Sequence, residues 1–307
     1  MKKNAILFLK GIAMGAADAV PGVSGGTIAF ITGIYEELVA SIRSFNMSAI
    51  RMLFSFQFKS FWHHINGLFL LVLFSGILIS LALLSRIILF ILTHYPILIW
   101  SFFFGLIIAS TVVIGKKIDK WTLQLWIFGI IGIGIGYAIT IIVPMETPNT
   151  LWFIFICGMI AICAMILPGI SGSFILVLLS KYEFLLAAVK DSNFIILIVF
   201  GSGTCIGLIS FSHILHWLLN RYYYPTIALL TGIMLGSLNK VWPWKIVLEN
   251  YVNHHGIVKP LIEQNVLPSV YQNTTGSEPM VIYAFSLAII GFIFVYSIER
   301  LTAHFKK

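Results

Sequence analysis

Charge is what this chain has least of. Only 30 of its 307 residues are charged, 19 Lys and Arg against 11 Asp and Glu, where a soluble domain carries about a quarter. With 59% apolar residues and a mean hydropathy of +1.00, too few polar groups remain to cover a water-facing surface. A soluble enzyme, a nucleic-acid binder and a disordered protein are thereby excluded, leaving a polytopic, all-α integral membrane protein. The net charge of +8 then reads as membrane topology rather than affinity for nucleic acid. Cysteine is nearly absent too. Cys157, Cys163 and Cys205 lie inside apolar runs at no metal-ligating spacing, as inert small hydrophobes that say nothing about compartment. No metal and no cofactor is expected.

What is there is a series of apolar runs. Six have the length of a membrane span: Leu68–Leu92, Pro96–Gly115, Trp121–Val143, Phe194–Leu219, Pro225 to about Trp244, and Met280–Ile298. Two more, 5–42 and 151–189, are about twice that length but carry PGVSGG at 21–26 and PGISGS at 168–173 in their middles. Pro removes a backbone donor and Gly permits positive φ, so neither run is one continuous helix. Each is expected as two half-helices of about 16 residues joined by a tight turn. The N-terminus has the outline of a signal peptide, with Lys2 and Lys3 before an apolar run. Asp18 and the recurrence of the segment deep in the chain oppose that reading.

The recurrence is the strongest feature. Residues 11–43 align without a gap to 158–190, and eleven of the 33 pairs are identical, among them Pro21/Pro168, Gly22/Gly169, Ser24/Ser171, Gly25/Gly172, Tyr35/Tyr182 and Glu36/Glu183. Weaker matches continue at a second offset, through Ser85/Ser212, Ile87/Ile214, Gly105/Gly232 and Ser110/Ser237. Apolar composition alone does not place Pro, Gly, Ser, Tyr and Glu in one register. The chain is read as a duplication within a single transmembrane domain, residues 1–145 and 146–307, each repeat a broken segment followed by three spans.

If each broken segment is a re-entrant hairpin, a repeat crosses three times and the second copy is inverted. With the N-terminus inside, thirteen Lys and Arg fall on the inner side and four on the outer, with Arg86 and Lys181 inside apolar segments. This asymmetry favours a multi-pass protein of the cell membrane with both termini in the cytoplasm. Two full crossings per broken segment would give the same parity, so that choice stays open. Residues 245–279 form the one long polar stretch, an outer loop that is either a lid or a linker.

Irregular backbone at membrane depth is tolerated only where protein buries it or it lines a wet cavity. The two turns are therefore the candidate site, with glycine backbone open to close approach (Gly25, Gly26, Gly172) and hydroxyl donors at Ser24, Thr27, Ser171 and Ser173. Two helix N-termini with free N–H groups favour an anion; the bland alternative is that Ser24 and Ser171 only cap their helices. Arg86 is a fixed cation within a span, suited to phosphate or carboxylate, or to an internal partner such as Asp18 or Glu36. Asp18, Glu36 and Glu183 are candidate proton carriers, since bringing an anion inward opposes the membrane potential.

The run GIAMGAADAVPGVSGGTIAFITGIYEELVASI and its second copy LPGISGSFILVLLSKYEFLLAAV resemble the polyprenyl-phosphate transporter family over nearly the whole chain. The resemblance implies a flippase that returns undecaprenyl phosphate, the lipid carrier of peptidoglycan and cell-wall synthesis, from the outer to the cytoplasmic leaflet. It implies a phosphate site at Pro21, Gly22, Ser24, Gly25, Gly26 and Thr27 together with Pro168, Gly169, Ser171, Gly172 and Ser173, the isoprenoid tail staying in the bilayer. The second copy departs from the first at Met165 (for Asp18) and Ser173 (for Gly26), so the halves need not contribute equally. Two rivals remain: a membrane-embedded isoprenyl pyrophosphate phosphatase, which would need a nucleophile or base where this chain has no His near either turn, and a small-anion transporter, which needs no lateral opening for a tail. Oligomeric state is not legible.

Overall fold

The computed structural model describes residues 2–20, 23–252 and 258–304. It opens with α1 (Lys2–Asp18) and two short helices, α2 (Gly25–Ile31) and α3 (Tyr35–Arg43). Two surface helices, α4 (Met47–Phe54) and α5 (Phe58–His64), lead to three long ones, α6 (Gly67–His94), α7 (Pro96–Gly115) and α8 (Leu123–Ile141). The order then recurs as α9 (Leu151–Ile166), α10 (Gly172–Leu178), α11 (Tyr182–Lys190), α12 (Phe194–Arg221) and α13 (Tyr223–Ser237). The chain finishes with β1 (Lys245–Val252), β2 (Val258–Asn265), α14 (Pro268–Thr275) and α15 (Val281–His304). It is a mostly helical, multi-pass membrane protein.

Among the described residues, five helices are long and apolar enough to cross a bilayer: α6, α7, α8, α12 and α15. The sixth expected span, Pro225 to about Trp244, is shorter than its apolar run suggested. As α13 it has 15 residues, about 22 Å, because the chain leaves the helix at Leu238 and turns through Asn239 and Lys240. The polar stretch 245–279 is an antiparallel hairpin followed by a short helix, so the all-α expectation is corrected there. Ile246, Val247, Tyr251 and Val252 suit a strand, and Pro268 at the first position of α14 suits a helix start.

The broken segments hold a second correction. Each is three pieces rather than two, because α2 and α10 last only seven residues before the chain breaks again. Both stop at the same helix-end motif. In the first copy Gly33 sits at φ +71°, its N–H donating to Phe30 O at 3.2 Å and that of Ile34 to Ala29 O at 3.0 Å. In the second, Ser180 takes φ +53°, with Ser180 N–H to Val177 O at 2.9 Å and Lys181 N–H to Leu176 O at 2.8 Å. The helix that follows is sharply turned, α10 and α11 lying 103° apart. Pieces of seven and nine residues are each too short to span about 30 Å.

Helix packing follows the duplication. In each copy the first helix lies along the first long one, α1 on α6 and α9 on α12, whereas the last two helices exchange partners, α7 packing on α15 and α13 on α8. The α8–α13 contact is a meeting of glycines: a Cβ on Gly132 would strike Leu229 O, and one on Gly232 would strike Gly129 O. Such small-residue seams let helix backbones touch where lipid supplies no hydrophobic drive. The copies differ most in one seam. α3 packs along α12, while its counterpart α11 has no comparable packing on α6 among the described residues. The 20-residue difference between the two alignment offsets is the α4–α5 pair, present in the first copy alone.

Candidate functional site

The two turns meet in the middle of the core. Val20, Val23, Ser24, Thr27, Ala29 and Phe30 are almost wholly buried, and three hydrogen bonds tie one copy's turn to the other's. Ser24 Oγ donates to Met165 O at 3.0 Å, Tyr35 Oη to Ile166 O at 3.2 Å, and Gly169 N–H to Thr27 Oγ1 at 3.0 Å. Gly26 has no room for a side chain, since its Cβ would lie 2.6 Å from Ile166 O. Gly169 takes φ +89° and presses on Met234 and Ser237 of α13, a Cβ there falling 2.9 Å from Met234 Cα. Pro168 is buried beside it. Pro21 and Gly22 lie outside the described residues.

The duplicated motif does two different things. In the first turn every early donor of α2 is taken: Gly25 N–H by Asp18 Oδ1 at 2.6 Å, Gly26 N–H by Ser24 Oγ at 3.0 Å and Thr27 N–H by Ser24 O at 3.0 Å. A carboxylate of the chain itself thus occupies the place where an anion was expected. In the second turn the residue equivalent to Asp18 is Met165, whose Cβ lies near Gly172 behind the Ala161 carbonyl, and a thioether accepts almost nothing. The N–H groups of Gly172, Ser173 and Phe174 have no acceptor among the described residues. Ser171 does not cap α10; its hydroxyl pairs with that of Ser173 at 2.7 Å. Ser173 is half-buried, so the hydroxyl pair is reachable from outside the core.

A cation that the sequence reading counted only for topology stands beside the second turn. Lys240 Nζ lies 4.7 Å from the ring centre of Phe174, the third residue of α10. Its counter-charge comes from the polar hairpin, Glu263 on β2, at 3.6 Å. Lys245 on β1 also reaches Glu263 at 3.5 Å and donates to Lys240 O at 2.7 Å while lying over Trp100. Burial holds the Lys245 ammonium down, to about 8. Burial alone would raise the Glu263 carboxyl, but Lys245 and Lys240 outweigh it and keep it below its ordinary value.

The remaining candidates lie elsewhere. Arg86 is exposed on α6 and makes no hydrogen bond or ion pair with either turn. Glu36 and Glu183 sit in the first turns of α3 and α11, beyond the second break. There a carboxylate complements the helix dipole, and Tyr223 Oη donates to Glu36 Oε1 at 3.4 Å. Tyr35 was recognised as a repeated residue, but its bond across the copies has no sequence signature. Lys240 and Glu263 have none either, since the turn after α13 and the hairpin bring them together. Among the described residues, no cluster of His, Cys, Asp and Glu is placed to hold a metal ion.

Residues 14–259 match the profile of a family described as undecaprenyl phosphate translocase-like. The chain belongs to that family. It is 47% identical to a polyprenyl-phosphate transporter of Vibrio cholerae over 293 residues, 95% of each chain. It is 35% identical to a polyprenyl-phosphate transporter of Staphylococcus aureus over 257 residues, 78% of this chain and 86% of that one. No solved structure matches. The matched region takes in both turns, both second breaks and the Lys240–Lys245 segment, so the asymmetry between the turns lies within the part of the chain that defines the family match.

Proposed function

We propose that this protein transports polyprenyl phosphate across the cell membrane, returning undecaprenyl phosphate from the outer to the cytoplasmic leaflet for reuse in cell-wall synthesis. The observation that carries this reading is the 47% identity, over 95% of the chain, to a relative bearing the transporter's name. The phosphate is held at the second turn, by the Ser171 and Ser173 hydroxyls and the unpaired N–H groups at the start of α10, with Lys240 as counter-charge. The first turn, its donors filled by Asp18 and Ser24, locks the two copies together. The isoprenoid tail stays in the bilayer and enters beside α6, where α11 leaves that helix uncovered and Arg86 supplies a cation on the approach.

The two halves, 1–145 and 146–307, act as inverted repeats with both broken segments re-entrant. The exchanged packing of α7 with α15 and α13 with α8 is what such symmetry predicts, and the basic residues favour cytoplasmic termini. Coupling to protons falls to Asp18, the carboxylate within the paired turns, with Glu36 and Glu183 as peripheral carriers. Purified protein in vesicles containing a fluorescent polyprenyl phosphate, with movement between leaflets and released phosphate followed in one sample, tests the reading. Movement without release establishes transport. Phosphate release from the pyrophosphate form would make the protein a phosphatase, and neither event from folded protein would return the small-anion reading.

A further inference from the structure

Away from the turns, the ends of α3 and α12 flank an open cavity of about 250 Å³ lined by the exposed Arg43, Trp217, Asn220 and Arg221 and the half-buried His216. Its two guanidinium groups come from different helices, Arg43 from the last turn of α3 and Arg221 from the end of α12. Neither has an acidic partner or a hydrogen bond among the described residues, and no carboxylate lines the cavity. Two like charges sharing one small space repel each other, and an anion between them would relieve that repulsion. A lone Arg at a helix C-terminus is ordinary, because it complements the dipole. Two of them converging on one cavity, with the Asn220 amide and the His216 ring beside them, form a constellation of donors that lacks its acceptor.

The surroundings say at what depth this constellation sits. Trp217 and Tyr222 are both exposed and in edge contact, ring centres 5.5 Å apart, the pattern of aromatic side chains at headgroup level. From the same end of α3 the chain enters α4 and α5, which expose Met47, Phe54, Phe56, Phe58 and Trp62 as helices lying in an interface do. Arginine's planar fork donates to two phosphate oxygens at once.

We propose that the α3–α12 cavity binds the phosphate group of a lipid headgroup, as a second phosphate site separate from the paired turns. The occupant is either a resident phospholipid of the bilayer or the transported lipid at the end of its path. The assignment does not require the turns to bind phosphate, and it stands if the transport reading fails.

The test is native mass spectrometry of the full chain ejected from phosphatidylcholine nanodiscs doped with phosphatidylglycerol or, separately, with a short-chain polyprenyl phosphate. Wild type is compared with the double variant Arg43→Gln/Arg221→Gln. Asn220→Trp fills the cavity while leaving both arginines in place, and Lys116→Gln/Lys117→Gln removes two cations elsewhere. The first two variants are expected to retain at least about tenfold less of one phosphate lipid, the size of losing a charge-assisted hydrogen bond, and the lysine variant none less. Selective loss of phosphatidylglycerol assigns the site to a resident lipid; selective loss of polyprenyl phosphate assigns it to the cargo. Unchanged retention of both lipids in folded variants, or an equal loss in the lysine variant, would overturn the proposal.

Discussion

The two turns began as the same motif and now differ in what their donors face. In the first, Asp18 and Ser24 take up the N–H groups of Gly25, Gly26 and Thr27, and the turn is closed. In the second, Met165 replaces the carboxylate, Ser171 turns to Ser173, and the equivalent donors are left over. Satisfied backbone groups at membrane depth stabilise; unsatisfied ones cost several kcal/mol each unless something else accepts. A duplicated protein can keep such an expense in one copy when the other is built to hold the pair together. The comparison therefore separates a closed turn from one with donors to spare, and each half of that distinction can be broken by substitution.

The largest effect should come from making the second turn resemble the first. In Met165→Asp the new carboxylate would stand against Gly172 as Asp18 stands against Gly25, satisfying the donors and repelling a phosphate. Transport of polyprenyl phosphate in vesicles should fall about 100-fold or more, roughly 2.7 kcal/mol of lost binding, while the melting temperature in detergent stays level or rises. A variant that transports normally would show that those donors never meet the cargo.

Paired serine substitutions sharpen the same contrast with smaller effects. Ser24→Ala removes both a helix cap and the bond to Met165 O, and should cost about 2 kcal/mol of stability. Ser171→Ala/Ser173→Ala removes hydroxyls that bond only each other; stability should change by less than about 0.5 kcal/mol, the usual size for a substitution away from a packed feature, while transport drops about tenfold. If the two variants exchange these profiles, the assignment of turns is reversed. Lys240→Gln comes next. Losing one partly exposed cation beside Phe174 should lower transport several-fold, an effect that shrinks with added salt because exposed charges are screened, and initial rates at two ionic strengths would measure it.

How much of this was legible beforehand depends on which residues carried it. Pro21 and Pro168 announced the broken segments, and the register of Gly, Ser and Tyr announced the duplication, because these residues restrict backbone conformation locally. The second break was half legible. Gly33 is a readable helix stop, but Ser180 adopts the same positive φ under the pull of the tertiary fold, and nothing in Leu-Ser-Lys signals it. Asp18 was singled out, yet its bond to Gly25 depends on the chain reversing through the turn. Lys240, Glu263 and the hairpin were invisible for a related reason: a polar run outside the membrane has no periodicity strong enough to fix strand register, and the Lys240 contacts with Glu263 and Phe174 join segments far apart in sequence. Arg86 shows the converse, a residue conspicuous in sequence that the fold leaves exposed on α6, away from the turns.

The smallest effect concerns the lysine pair beside the second turn, and pH brings it out. Lys245 is buried between Trp100, Glu263 and the carbonyl of Lys240, and its ammonium gives up its proton near 8 rather than at the usual 10.5. Between those two values the unfolded chain holds a proton that the folded chain has released, so stability rises with pH across that window and is flat below it. The melting temperature of the wild type should climb modestly from about pH 8 to 10, and the climb should vanish in Lys245→Met, which keeps the aliphatic packing without the charge. The first turn contains no such group from the polar hairpin, so transport variants at Ser24 should leave the climb unchanged. A climb that survives in Lys245→Met would mean that another group titrates there and that the hairpin's charges are not what fastens it over the second turn.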